Sequence, residues 1–155
     1  MRWKAGALPV LLVAVVCAVA MLAGCAGATS TMSLDIVEDT GALNVTVDNA
    51  GTDNQVISSI VVDEGQCLVM SPVLDKGALR VVLEDSEKAV FDQEVSGKVM
   101  GAYRIDPGDY TLSVAGIDGN PATGTMLIVA MDIEELRQQD ASLVDALKDA
   151  AVAAK

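Results

Sequence analysis

Few side chains in this chain could do covalent chemistry. It has three cysteines and no histidine among its 155 residues. Without histidine neither a Ser-His-Asp nor a Cys-His pair can be built, and zinc loses its commonest nitrogen ligand. No glycine-rich loop has the spacing of a phosphate cradle. The oxygen-rich stretch Asp48-Asn49-Ala50-Gly51-Thr52-Asp53-Asn54 lacks the ligand order and terminal Glu of an EF-hand calcium loop. Cys67 sits in the apolar stretch Cys67-Leu68-Val69-Met70, which predicts a buried structural thiol. Cys25 is different. It follows the small residues Ala23 and Gly24 at the end of a run from Ala5 to Gly24 that carries no charge. That is the setting of a processing site, and it predicts modification of the chain rather than catalysis by it. The expectation is a protein that is not an enzyme, with no catalytic residue, no metal site and no cofactor.

The segment ahead of Cys25 explains its setting. Met1-Arg2-Trp3-Lys4 is a short basic start, and Val10 to Ala20 is an apolar centre. Together with the small-residue end they make a secretory signal. Leu22-Ala23-Gly24-Cys25 resembles the lipobox of bacterial lipoproteins. The resemblance implies thioether lipidation of Cys25 and cleavage between Gly24 and Cys25. It also implies a domain held at the extracytoplasmic face of the cell membrane by its N-terminal lipid. The alternative is an uncleaved transmembrane helix, which needs about 20 apolar residues. Pro9 within the run and its small-residue end weigh against that. Both readings leave Arg2 and Lys4 inside and the later residues outside.

Charge narrows the partners. The net charge is −12, and loss of Arg2 and Lys4 with residues 1–24 makes it −14 on 131 residues. So acidic a surface repels phosphate backbones, so nucleic acid is not an expected partner. It offers anionic headgroups no basic patch, and the lipid must hold the membrane alone. With Cys17 in the signal and Cys25 lipidated, Cys67 has no partner for an internal disulfide.

The elements that follow are mostly strands. Residues 25–33, the lipidated cysteine and a small, polar run, read as a short tether. From Leu34 the pattern has period two, the mark of half-buried strands. Leu34 and Ile36, then Leu43, Val45 and Val47, alternate with polar residues around a turn at Asp39-Thr40-Gly41. Asn49 to Asn54 reads as a loop. Further strands are expected over Gln55–Val62, Gln66–Met70, about Leu79–Leu83, through Ala89, Phe91 and Val95, weakly over Val99–Ile105, from Tyr110 to Val114, and over Thr125–Met131. Ser71-Pro72 marks a break. Asp106-Pro107-Gly108-Asp109 is the firmest turn, with proline and glycine at its two central positions. Strands about ten residues apart with turns between them point to an all-β sandwich over 34–131.

Pro107-Gly108-Asp109-Tyr110-Thr111-Leu112-Ser113-Val114 resembles a strand opening of immunoglobulin-like and transthyretin-like modules. With Leu74 to Val81 and Ala122-Thr123-Gly124-Thr125, the stretch 55–130 is similar to small bacterial lipoproteins of uncharacterised function. The resemblance implies an immunoglobulin-like sandwich and carries no catalytic residue over. Only Phe91, Tyr103 and Tyr110 are aromatic beyond the signal. Tyr110 alternates with core positions, which leaves Tyr103 as the one aromatic with a claim to exposure.

From Asp132 the period becomes helical. Asp132 and Glu135 have N-cap and N3 spacing. Ile133, Leu136, Leu143, Val144, Leu147 and Ala151 share one face, with Asp140 inside the stripe. A break is expected near Gln139–Ala141, with Asp140 starting a second helix through Ala154. This tail, 132–155, either docks on its own domain or binds an envelope protein partner. The expected role is a structural or interaction module. The alternative is a small-ligand or cation-binding accessory lipoprotein of the envelope.

Overall fold

The computed structural model describes residues 29–86 and 88–149. The expected signal segment, Cys25 and the residues beyond Asp149 lie outside the described residues. Ten strands follow in order: β1 Thr31–Val37, β2 Ala42–Ala50, β3 Gln55–Val62, β4 Gln66–Lys76, β5 Ala78–Asp85, β6 Lys88–Ser96, β7 Gly101–Arg104, β8 Gly108–Gly116, β9 Ala122–Asp132 and β10 Lys148–Asp149. Two short helices, α1 Ile133–Gln139 and α2 Ala141–Asp145, stand between β9 and β10.

The strands form two sheets, one ordered β1-β2-β9-β4-β7-β10 and one ordered β3-β8-β5-β6. All pairs are antiparallel except the two-residue pairing of β10 with β7. The pairs are nested: β5 with β6, β4 with β7, β3 with β8 and β2 with β9. The chain is thus one long hairpin closed at the β5–β6 turn. It is rolled so that β9 also meets β4 and β8 also meets β5. Two antiparallel sheets are what the expected all-β sandwich requires, with β8 in one sheet and β9 in the other. Turn and strand signals along 107–114 are local, and they do not encode which strand comes alongside.

Period-two patterning decides which residues face inward. Leu68 and Met70 of β4, Leu79 and Leu83 of β5, Phe91 of β6, Leu112 of β8 and Met126 and Ile128 of β9 are fully buried in a core to which both sheets contribute. No charged or polar residue is buried among the described residues. A second, smaller cluster joins Ala42, Cys67, Val69, Ala102 and Val129 of the six-stranded sheet to Leu136 of α1 and Val144 of α2. These sheet residues alternate with the inward set, so the helices cover the sheet's outer face. The tail docks on its own domain through these residues.

Three element boundaries differ from the sequence reading. β1 begins at Thr31 inside the expected tether, and Met32 is already buried. β4 runs straight through Ser71-Pro72 to Lys76. At Pro72 only β9 flanks β4, because β7 pairs with Leu68–Met70 alone. The missing N–H therefore costs no ladder bond on that side. The second helix stops at Asp145 rather than running to Ala154, and Lys148-Asp149 pair with Tyr103-Arg104 instead. The break itself falls where the stripe required. Asp140 ends α1 and caps α2, its carboxylate accepting from the Leu143 N–H at 3.2 Å. Asp132 caps α1 by accepting from the Glu134 N–H at 3.1 Å.

Candidate functional site

The chain enters the described domain at one end, and that end carries a polar surface depression. Strand direction places the loops 51–54, 97–100 and 117–121 there, beside the start of β1. The depression measures about 290 Å³ and is lined by Ser30, Asn49, Asp53, Asn54, Asp118 and Pro121, among others. Its shape is set by backbone approaches that only glycine permits. A Cβ on Gly116 would stand 2.2 Å from the Gly51 carbonyl oxygen. At Gly77 it would stand 2.1 Å from the Pro121 oxygen, and that residue also has φ +74°.

Two asparagines of the depression are fixed by hydrogen bonds. Asn49 adopts the left-handed φ of 53°, which Asn tolerates better than most residues, and its N–H donates to Thr123 Oγ1 at 3.0 Å. Asn54 Oδ1 accepts from the Gly51 N–H at 3.1 Å, and its own N–H donates to the Gly51 carbonyl at 2.9 Å. The oxygen-rich stretch singled out from the sequence is therefore the end of β2 followed by a turn that Gly51 and Asn54 close on each other. Among the described residues, no group of three or more His, Cys, Asp or Glu side chains is placed to hold a metal.

Other residues of chemical interest are separated. Cys67 is fully buried under α1 and α2, as its apolar stretch predicts. Burial pushes its thiol pKa up, Arg104 opposes that, and Asp132 adds to it. A thiol kept protonated in an apolar layer is a poor nucleophile. Tyr110 is core, and its hydroxyl donates to the Asp106 carbonyl at 2.6 Å. Desolvation raises its pKa, with the Asp106 and Asp85 carboxylates adding to it. Tyr103 is half-buried, with its ring edge-on to Phe91 at 4.9 Å and Lys148 Nζ 5.8 Å from its centroid. It is a packing residue as much as a surface one.

The sequence reading did not anticipate the ion pair between Arg80 and Asp92. Arg80 on β5 donates to Asp92 on β6, with Nε at 2.8 Å from Oδ1. This bidentate bond holds the Asp92 carboxyl below its ordinary pKa. A strand register was needed to find it, since the two residues lie diagonally across the β5–β6 ladder. The sequence-predicted processing residues Gly24 and Cys25 lie outside the described residues.

No protein-family model and no curated protein matches the chain. Among solved structures it is similar to a CBM4 structure, at 16% identity and a TM-score of 0.38, over 66% of this chain and 78% of that one. It is also similar to the Drosophila melanogaster CENP-C cupin domain, at 13% identity and a TM-score of 0.37, over 69% and 68%. A third likeness is to Fe(II)-HppE, at 9% identity and a TM-score of 0.37, over 64% of this chain and 49% of that one. Likenesses this distant carry no argument about family, ligand or reaction.

Proposed function

We propose that the chain is a lipid-anchored bacterial lipoprotein at the extracytoplasmic face of the cell membrane. Its β-domain serves there as a structural or interaction module and not as an enzyme. The observation that carries this is Leu22-Ala23-Gly24-Cys25 after a basic start and an uncharged run. The described domain agrees with such an anchor. Thr31, the first residue of β1, is six positions past Cys25, so the domain edge lies within about 21 Å of the lipidated residue. A domain held so close works at the membrane surface and not across the envelope. An envelope partner that engages the C-terminal helices meets their exposed side, because Leu136 and Val144 already face the sheet.

On the finer fold class, the Tyr110 hydroxyl bonded to the backbone four residues upstream supports the immunoglobulin-like resemblance, in which such a corner recurs. The nested strand pairs support a double-sheet jelly roll. We adopt the second, because pairing order is global and a corner is local. The alternative role, binding of a small ligand or cation, has its geometric support in the polar depression beside the chain entry.

Detergent-phase partitioning of the full chain tests the proposal. The wild type should enter the Triton phase with a blocked N-terminus at Cys25, and Cys25→Ser should stay unprocessed. A wild-type chain with a free N-terminus at Ala26 or beyond would refute the anchor. Calorimetry with calcium separates the two roles, because heat of binding that Asp53→Asn and Asp118→Asn abolish would favour the alternative.

A further inference from the structure

We infer that β3 is a self-association edge, and that two copies of this chain join their four-stranded sheets through antiparallel β3–β3 pairing centred on Ser59. Four strands end the two sheets: β1, β10, β3 and β6. An exposed edge invites pairing, and charged residues or proline are the usual safeguards. β1 carries Asp35, β6 carries Lys88, Asp92 and Glu94, and β10 is Lys148-Asp149. β3 reads Gln55-Val-Ile-Ser-Ser-Ile-Val-Val62 and has neither charge nor proline over eight residues. In a chain of net charge −12 that gap is where a second copy can approach without repulsion.

The outward side of β3 is also apolar. Ile57 and Val61 are 59% and 53% exposed, with Ser59 exposed between them. β3 is laddered to β8 from Gln55 to Val62 and, among the described residues, to no strand on its other edge. Addition of a strand there satisfies backbone groups along the whole element.

Register identifies the occupant as a second copy. Antiparallel partners must face the same side, so a two-fold axis has to pass through one residue of the strand. Centred on Ser59, Ile57 of each copy lies opposite Val61 of the other, a favourable β-branched pair repeated twice. The flanking carboxylates then avoid one another: Asp63 lies opposite Gln55, Glu64 opposite Asn54 and Asp53 opposite Gly65. Centred on Ser58, Asp53 would oppose Asp63, a like-charge pair. Centred on Ile60, Asp63 would oppose Ile57. Of the three central registers, only that on Ser59 pairs apolar with apolar and keeps every carboxylate away from another carboxylate and from an apolar side chain. The inference does not depend on lipidation of Cys25, and a dimer of the unlipidated chain would leave it intact.

Cysteine scanning of the full chain in detergent micelles tests both partner and register. Directly opposed residues have Cα atoms about 4.5–5.5 Å apart, within the roughly 4.4–6.8 Å that a disulfide spans. Ser59→Cys should therefore cross-link to a covalent dimer on mild oxidation. Ile57→Cys alone should not, since its two copies would lie about 13 Å apart. A mixture of Ile57→Cys and Val61→Cys chains should form the mixed dimer. Wild-type chain controls for the native cysteines, and Glu94→Cys on β6 controls for random collision. In sedimentation the wild type should dimerise with concentration, and Ile57→Lys should shift it to monomer while melting like the wild type at concentrations low enough for both to be monomeric. A wild type monomeric at the highest attainable concentration would overturn the inference. Cross-linking at position 59 no faster than at 94, or as fast at 57 alone, would overturn it equally.

Discussion

Leu136→Ala is the substitution that most directly tests the docking of the C-terminal helices. Leu136 is 3% exposed and belongs to the cluster that also holds Val144 and Cys67. Buried Leu→Ala changes cost about 2–5 kcal/mol, with the lower values where the site can collapse. α1 is a seven-residue helix on the outside of a sheet, tied to the β3–β4 turn by the Ile133 N–H on the Gly65 carbonyl at 3.0 Å. Such a helix can settle into a vacancy, so about 2–3 kcal/mol is expected. That loss falls on local opening of the helices, because the main core lies on the other side of the sheet.

Cys67 reports the opening. It is fully buried beneath the helices, and its thiol reacts only when they lift. At about 1.4 kcal/mol per tenfold, the open population should rise roughly 30- to 150-fold. The assay is maleimide labelling under native conditions, read by mass spectrometry on the peptide that contains Cys67. Leu112→Ala is the control. It weakens the inter-sheet core without touching the helix cover, so its Cys67 labelling should stay near wild type while local opening dominates. A Leu136→Ala labelling rate within twofold of wild type would refute the reasoning.

Leu112→Ala itself should lower global stability by about 2–5 kcal/mol in urea melts, since Leu112 is fully buried between the sheets. Tyr110→Phe keeps the ring in the core and removes the hydrogen bond to Asp106, so about 0.5–1.5 kcal/mol should be lost in the same melts. Gly77→Ala should destabilise by at least about 1–3 kcal/mol for its left-handed backbone alone, with the Pro121 clash added, and near-normal stability there would contradict the β4–β5 turn geometry. The Asp92 and Asp140 carboxyls both have depressed pKa values, the first chiefly through the Arg80 hydrogen bond and the second chiefly through that of Ser142. The unfolded chain takes up these protons first, so their stabilisation is present above the ordinary carboxylate pKa of about 3.9 and is lost as pH falls through the depressed values. Thermal melts should show this decline at acid pH, and Arg80→Ala should flatten part of it.

The strands themselves were legible because their inner and outer residues are of different kinds. Val45 and Val47 of β2, Val81 and Leu83 of β5 and Leu112 and Val114 of β8 alternate with polar or less buried neighbours, and each reads as one face of a strand. Asp140 was legible for a similar reason: a carboxylate in an apolar stripe had to become a cap. The misreadings arise where tertiary partners override local preference. Pro72 reads as a breaker until the short reach of β7 leaves β4 with a free flank. The helical period continues through Leu147 and Ala151, yet α2 gives way after Asp145. There the chain gains the ladder with Tyr103-Arg104 and sets Lys148 against the Tyr103 ring. A periodicity scan within the tail has no access to β7, which lies more than forty residues upstream.

The same limit explains why topology and function were less legible than the strands. β5 and β6 meet across a short turn, but β2 and β9 meet across the whole domain. Turn residues specify the first kind of pair, and only the burial of a shared core specifies the second. Among the features argued to carry function, one is the proposed processing motif ahead of the domain, whose chemistry would be done to the chain. The other is the edge of β3, where backbone groups would do the recognising. Such an edge leaves almost no residue signature, because main-chain amides are the same at every position. What it does leave is an omission. In so acidic a chain, the uncharged run from Gln55 to Val62 is the trace that selection for pairing, or the absence of selection against it, would leave in the sequence. The periodic pattern marks that run as a strand, and its missing charges become informative only once the fold places it at an edge.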